Sequence, residues 1–90
     1  MAQRHVRVLS KVGLHARPAA LFVQTATKAP MEVTVAKPGK DPVNAKSILA
    51  VLGLDVRHGE EITITVEGEG DAERLLDELE AAVNVEAESA

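Results

Sequence analysis

The chain has 90 residues, 46% apolar and 1% aromatic, with a formal net charge of -4; this suits one folding unit with a small core and leaves no room for a deeply enclosed active site. The absence of Cys excludes disulfides, thiolate nucleophiles and zinc–thiolate centres and fits a reducing cytoplasm, while a single aromatic residue, Phe22, excludes a sheet that stacks nucleobases on several rings. No apolar run reaches the ~18 residues of a membrane span, and the opening MAQRHVRVLS lacks the unbroken apolar stretch of a signal peptide, so neither membrane insertion nor export is expected.

In chain order, Val6 and Val8 alternate with Arg7 and Leu9, which predicts a strand over about residues 4–9. Gly13 closes a short turn. Ala19, Phe22, Val23 and Ala26 then fall at i, i+3, i+4 and i+7, the stripe of a core-facing helix that starts at His15 or Ala16 and admits Pro18 in its first turn. Lys28 suits the end of that helix and Pro30 blocks its continuation. A strand follows from Met31, with Val33 and Val35 facing inward.

Lys37-Pro38-Gly39-Lys40 reads as a type II turn leading to a short return strand over about 41–44. Ser47 is a good N-cap for a brief helix, Ile48 to Leu52, that Gly53 can end in a left-handed conformation. Ile62, Ile64 and Val66 alternate with Thr63 and Thr65 as a strand. Asp71 caps a last helix whose apolar stripe is Ala72, Leu75, Leu76, Leu79, Ala82 and Val83, with Glu73, Asp77, Glu78 and Glu80 facing water. Residues 1–84 are expected to form the domain and 85–90 a frayed tail. The order predicts an open-faced α/β sandwich of the α+β type, a small antiparallel sheet with helices on one face.

Charge is divided unevenly. Residues 1–59 carry a balance of +6 and residues 60–90 one of -10. A solvated acidic helix accounts for the second part, and the first can present a basic face to an acidic partner or a phosphoryl group.

The chemistry concentrates in Gly13-Leu14-His15-Ala16-Arg17-Pro18-Ala19. A helix N-terminus prefers Ser, Thr, Asp or Asn as its cap, so His15 there invites a functional reading. The backbone N–H groups of Ala16 and Arg17, the positive end of the helix dipole and the planar donor fork of Arg17 make an anion site beside the imidazole. The same field disfavours imidazolium, so His15 is expected to be neutral at neutral pH. One of its ring nitrogens can then attack a phosphoryl group, and the amides and Arg17 can hold the adduct.

GLHARPA, followed downstream by VNAKSI, resembles the histidine-containing phosphocarrier (HPr) family of the bacterial phosphoenolpyruvate-dependent sugar phosphotransferase system (PTS), over about residues 1–84. The resemblance implies four antiparallel strands and three helices. It implies a carrier rather than an enzyme: His15 takes a phosphoryl group on Nδ1 from phospho-enzyme I and passes it to the EIIA domain of a sugar permease, while Arg17 binds or steers the group. Ile48, Leu49, Val51 and Leu52 would form the apolar docking patch. Leu49 and Leu52 stand where many relatives have methionine. Ser47 matches the serine that an ATP-dependent HPr kinase/phosphorylase modifies in some relatives. Phosphate there suits the helix dipole but places about -2 charge beside the docking patch. Transcriptional regulators are further expected partners, and the chain is expected to be a monomer.

His5 and His58 read as surface residues, and three histidines without metal-ligand spacing predict no metal or cofactor. Lys11 and Lys46 could extend a basic rim near His15. Rival readings are a ligand-sensing module in which His15 and Arg17 bind a phosphorylated metabolite, a small phosphatase, and a nitrogen-branch phosphocarrier.

Overall fold

Alternation in three segments builds the sheet. Val6, Val33, Val35, Ile62, Ile64 and Val66 are all buried, while their strand neighbours Gln3, His5, Glu32, Glu61 and Glu67 are exposed, the pattern of a sheet covered on one face only. A computed structural model describes residues 2–10, 13–14, 16–68 and 70–84. Its elements run β1 (Ala2–Arg7), α1 (Ala16–Lys28), β2 (Glu32–Ala36), β3 (Val43–Asn44), α2 (Ile48–Gly53), β4 (Glu61–Glu67) and α3 (Ala72–Val83). The strands form one antiparallel sheet in the order β1-β4-β2-β3. Ala2 pairs with Val66 and Arg7 with Glu61 on one side of β4, and Glu32 pairs with Glu67 and Ala36 with Thr63 on the other. The open-faced sandwich expected from the element order is present.

The helices close the apolar face. Ala19, Phe22 and Ala26 of α1, Val51 of α2, and Leu75, Leu76, Leu79 and Val83 of α3 join the strand residues in one buried cluster. Of the stripes read from spacing, Val23, Ala72 and Ala82 are only partly buried at its margin. Asp71 caps α3 by accepting a hydrogen bond from Arg74 N at 3.1 Å, and Ser47 Oγ caps α2 by accepting one from Ala50 N at 3.3 Å, each giving a first-turn amide a partner.

Three boundaries differ from expectation for identifiable reasons. β1 starts two residues earlier and ends at Arg7, because beyond Arg7 its partner chain turns away. Val8 still exchanges hydrogen bonds with Glu60 O and Gly59 N, but Leu9 N donates to Asn84 Oδ1 at 2.9 Å instead. The type II turn is as read, with Gly39 at φ +84° and Lys40 N bonded to Lys37 O at 3.0 Å, yet the return strand keeps only Val43–Asn44. Gly53 does not end α2 in a left-handed conformation. Leu54, buried at 3% exposure, continues the right-handed turn, Leu54 N and Asp55 N bond Val51 O and Leu52 O, and the left-handed residue is Asp55 at φ +51°.

The acids of α3 face water as expected, with Glu80 half-buried, and they also share a partner across the fold. Arg4 of β1 reaches Glu73 at 3.0 Å, Glu80 at 3.3 Å and Asp77, and Arg74 lies 3.7 Å from Glu78. The acidic side chains remain largely exposed, but three of them are gathered around one guanidinium that ties α3 to β1, and Asp77 foremost holds Arg4 more firmly protonated than usual. The expected tail, 85–90, lies outside the described residues.

Candidate functional site

α1 begins at Ala16, with Arg17 exposed and Pro18 buried in its first turn. The opening amides of a helix have no intrahelical acceptor, and Pro18 has no N–H, so Ala16 and Arg17 carry backbone donors at the positive end of the dipole. His15 and Lys11 lie outside the described residues; the structure defines the frame on either side of His15.

That frame is tightly held. Gly13 N donates to Ser10 O at 3.0 Å and Leu14 N to Val56 O at 2.9 Å, while the Leu14 side chain enters the core at 5% exposure. Gly13 has φ +77°, and a Cβ on it would stand 2.4 Å from Val56 O and 2.7 Å from Arg57 Cα. Only glycine satisfies both the left-handed backbone and the close approach. Further upstream, Val8 N donates to Glu60 O at 2.9 Å and Gly59 N donates to Val8 O at 2.8 Å. Residues 55–60 therefore hold the chain at two places ahead of His15.

The 55–60 segment is organised by charge. Glu60 Oε1 accepts from Arg57 N at 2.7 Å, and Glu60 N donates to Arg57 O at 3.0 Å. Lys37, whose side chain is 11% exposed, donates through Nζ to Asp55 O at 2.8 Å and lies 3.4 Å from Glu60 Oε1. Arg57 Nη2 meets Asp55 Oδ2 at 3.0 Å. The Arg57 guanidinium bonded to Asp55 holds that carboxyl below its ordinary value, and the Arg57 amide, with Lys37 behind it, does the same for Glu60.

An apolar surface adjoins the first turn of α1. Leu49 is 80% exposed, and Ile48, Leu52 and Leu21 are each 37% exposed. Ile48 lies against Ala20, Val23 and Gln24 of α1, and Ala20 is one turn from Arg17. Sequence reasoning placed Val51 in this patch, but Val51 is 1% exposed and faces the core beneath α2. It missed Ala20, which lies against Ile48, and the exposed Leu21, one turn on from Arg17; the available signal was that Leu21 falls off the core stripe of an otherwise amphipathic helix.

Lys46 does not extend a basic rim at the start of α1. Its Nζ donates to Ala29 O at 3.0 Å, just past the helix's other end, and a 13-residue helix is about 20 Å long. His58 is exposed beside the Gly59 turn, and the exposed His5 ring bonds Thr63 Oγ1 at 3.0 Å through Nδ1. Among the described residues no three His, Cys, Asp or Glu side chains are grouped to hold a metal ion, and no helix is long and apolar enough to cross a membrane.

Comparison with known proteins aligns the chain with a single family. The family model for the PTS HPr component phosphorylation site matches residues 2–85. The phosphocarrier protein HPr of Streptomyces coelicolor is 52% identical over 79 residues, covering 88% of this chain and 84% of its own. The crystal structure of a phosphocarrier protein HPr from Bacillus anthracis superimposes with a TM-score of 0.80 at 48% identity, covering 90% of this chain and 94% of the other. Crh, the catabolite repression protein of Bacillus subtilis, is 46% identical with a TM-score of 0.69, covering 96% of this chain and 97% of its own; its crystal structure is a swapped dimer.

Proposed function

The chain belongs to the PTS HPr family of phosphocarriers, and from that premise we propose that His15 accepts a phosphoryl group from phospho-enzyme I and passes it to the EIIA domain of a sugar permease. The observation that carries the reading is the family match over residues 2–85, joined to a GLHARPA segment that runs into the first turn of α1. A bond forms between His15 Nδ1 and phosphorus while the donor's bond to phosphorus breaks and the donor keeps that electron pair. Onward transfer repeats the exchange with His15 as the leaving group.

Arg17 and the amides of Ala16 and Arg17 bind the phosphoryl oxygens. Each helix-dipole contribution at an exposed site is only about 0.3–1 kcal/mol, so the adduct is held without being trapped. Ile48, Leu49 and Leu52, with Ala20 and Leu21 beside them, form the face on which enzyme I and EIIA dock. The protein acts in the cytoplasm as a monomer. Because Crh forms a swapped dimer, sedimentation equilibrium at working concentration is the check on the monomer.

A second reading adds regulation and is favoured by the position of Ser47. Its Oγ is the N-cap of α2, immediately before the exposed Ile48 and Leu49. Phosphorylation of Ser47 by an HPr kinase/phosphorylase would set about two negative charges against the docking face and weaken transfer; regulators that recognise that charge would be its other partners.

Transfer of labelled phosphate from phosphoenolpyruvate through enzyme I to an EIIA domain tests the proposal. The wild-type protein should relay the label, His15→Ala should not, and Arg17→Ala should slow the relay about tenfold to a hundredfold, the loss of one charge-assisted contact to the moving group. Relay by His15→Ala would refute the assignment.

A further inference from the structure

Residues 55–60 follow directly on the docking face described above, with Asp55 N donating to Leu52 O at 3.1 Å, and they also contact the chain at two places ahead of His15. Their backbone takes Val8 N at Glu60 O, gives Gly59 N to Val8 O and takes Leu14 N at Val56 O, and Gly13 packs so closely on Val56 and Arg57 that it has no room for a Cβ. The placement of Gly13–Leu14 before α1 thus depends on the shape of this one turn.

Two side chains set that shape. Glu60 closes the turn on itself by accepting the Arg57 amide at 2.7 Å. Lys37, arriving from the end of β2 and half-buried, holds the carbonyl of Asp55 at 2.8 Å and stands beside the Glu60 carboxylate at 3.4 Å. Asp55 is a non-glycine residue at φ +51°, a conformation that persists only where its surroundings enforce it. A half-buried amine on its carbonyl, with the Arg57 guanidinium on its carboxylate, supplies that enforcement.

We propose that Glu60 and Lys37 are positioning residues for phosphoryl transfer: they lock the 55–60 turn as a bracket that fixes Val8 and Gly13–Leu14, the residues that lead into His15. The proposal rests on the reading of His15 as the acceptor. Neither residue touches the phosphoryl group; their effect passes through backbone hydrogen bonds to Val8 and Leu14 and through the Gly13 contact. Nothing in the local sequence marks either one, since Lys37 reads as a turn residue and Glu60 only precedes the Ile62–Val66 alternation.

The test compares Glu60→Ala, Glu60→Gln and Lys37→Met with the wild type in phosphorylation by enzyme I and phosphoenolpyruvate, over a range of carrier concentrations and well below the unfolding temperature. The imidazole resonances of His15 are read in parallel by NMR. Glu60→Ala and Lys37→Met should lower the maximal rate about tenfold, as small misplacements of a reacting group do, leave the apparent KM within about twofold because no docking-face side chain is replaced, and move the His15 ring resonances. Glu60→Gln should recover most of the rate, since its amide oxygen can still accept the Arg57 N–H. Asp71→Ala, which removes the cap of α3, is the control for lost stability and should keep both the rate and the resonances.

A wild-type rate with unshifted ring resonances in Glu60→Ala and Lys37→Met would overturn the bracket, as would a slowing matched by Asp71→Ala. If Glu60→Ala fails to fold, Lys37→Met against Glu60→Gln decides the question. If the wild type takes no phosphoryl group, the functional reading fails, and unshifted ring resonances in the variants would then refute the bracket separately.

Discussion

At the scale of the residue, Gly13 is the most constrained position near the site. Its left-handed backbone and its contact with Val56 O forbid a side chain from two directions, so Gly13→Ala should cost about 2 kcal/mol or more in urea denaturation, against a typical gain of a few tenths where a glycine is unconstrained. A loss below about 0.5 kcal/mol would show that the segment moves freely off the 55–60 turn. The motif around Gly13 was legible because the chemistry is local: GLHARPA places an imidazole, a guanidinium and a helix start within seven residues. Lys37 and Glu60 were not legible, because their partners are 18 and 23 residues away in sequence or lie on backbone atoms. Val51 was misplaced for a related reason, since a six-residue helix is too short for its spacing to say which side faces the core.

At the scale of the element, the strands and long helices were read correctly because burial follows their periods. β4 alternates without exception, and the stripe of α3 is buried at Leu75, Leu76, Leu79 and Val83. Element ends were set by partners that spacing does not reveal: Asn84 captures Leu9 N, and Leu54 carries α2 past the glycine expected to stop it. The surface of α2 gives a prediction of its own. Leu49 is 80% exposed and makes little use of its side chain in the fold, so Leu49→Glu should change stability by less than about 0.5 kcal/mol. The same change should raise the apparent KM with enzyme I about tenfold, since a charge placed in an apolar docking face is desolvated without a partner. An unchanged KM would remove α2 from the docking face.

At the scale of the whole molecule, the division of charge takes a structural form. The acids of α3 are drawn to Arg4 of β1, so the negative part of the chain is tied across the sheet edge by one basic residue from the other part. Uneven charge along the sequence was visible; its convergence on Arg4 required the fold, because Arg4 and Glu73 are 69 residues apart.

The 55–60 turn sets the response to acid. Asp55 and Glu60 are held below their ordinary values of 3.8 and 4.5 in the folded protein. Their contribution is therefore full above about pH 4.5 and is lost as pH falls through their folded values. The urea midpoint should be level from pH 7 to about pH 5 and fall below about pH 4.5, more steeply in the wild type than in Glu60→Gln. Equal acid sensitivity in the two proteins would show that Glu60 contributes nothing to it.

Whether His15 carries a transferable phosphoryl group is decided by the intact mass of the protein after incubation with phosphoenolpyruvate and enzyme I. The protein should gain one phosphoryl group, removed by brief acid treatment and absent from His15→Ala. An adduct that survives acid, or one that persists in His15→Ala, would contradict the assignment of His15.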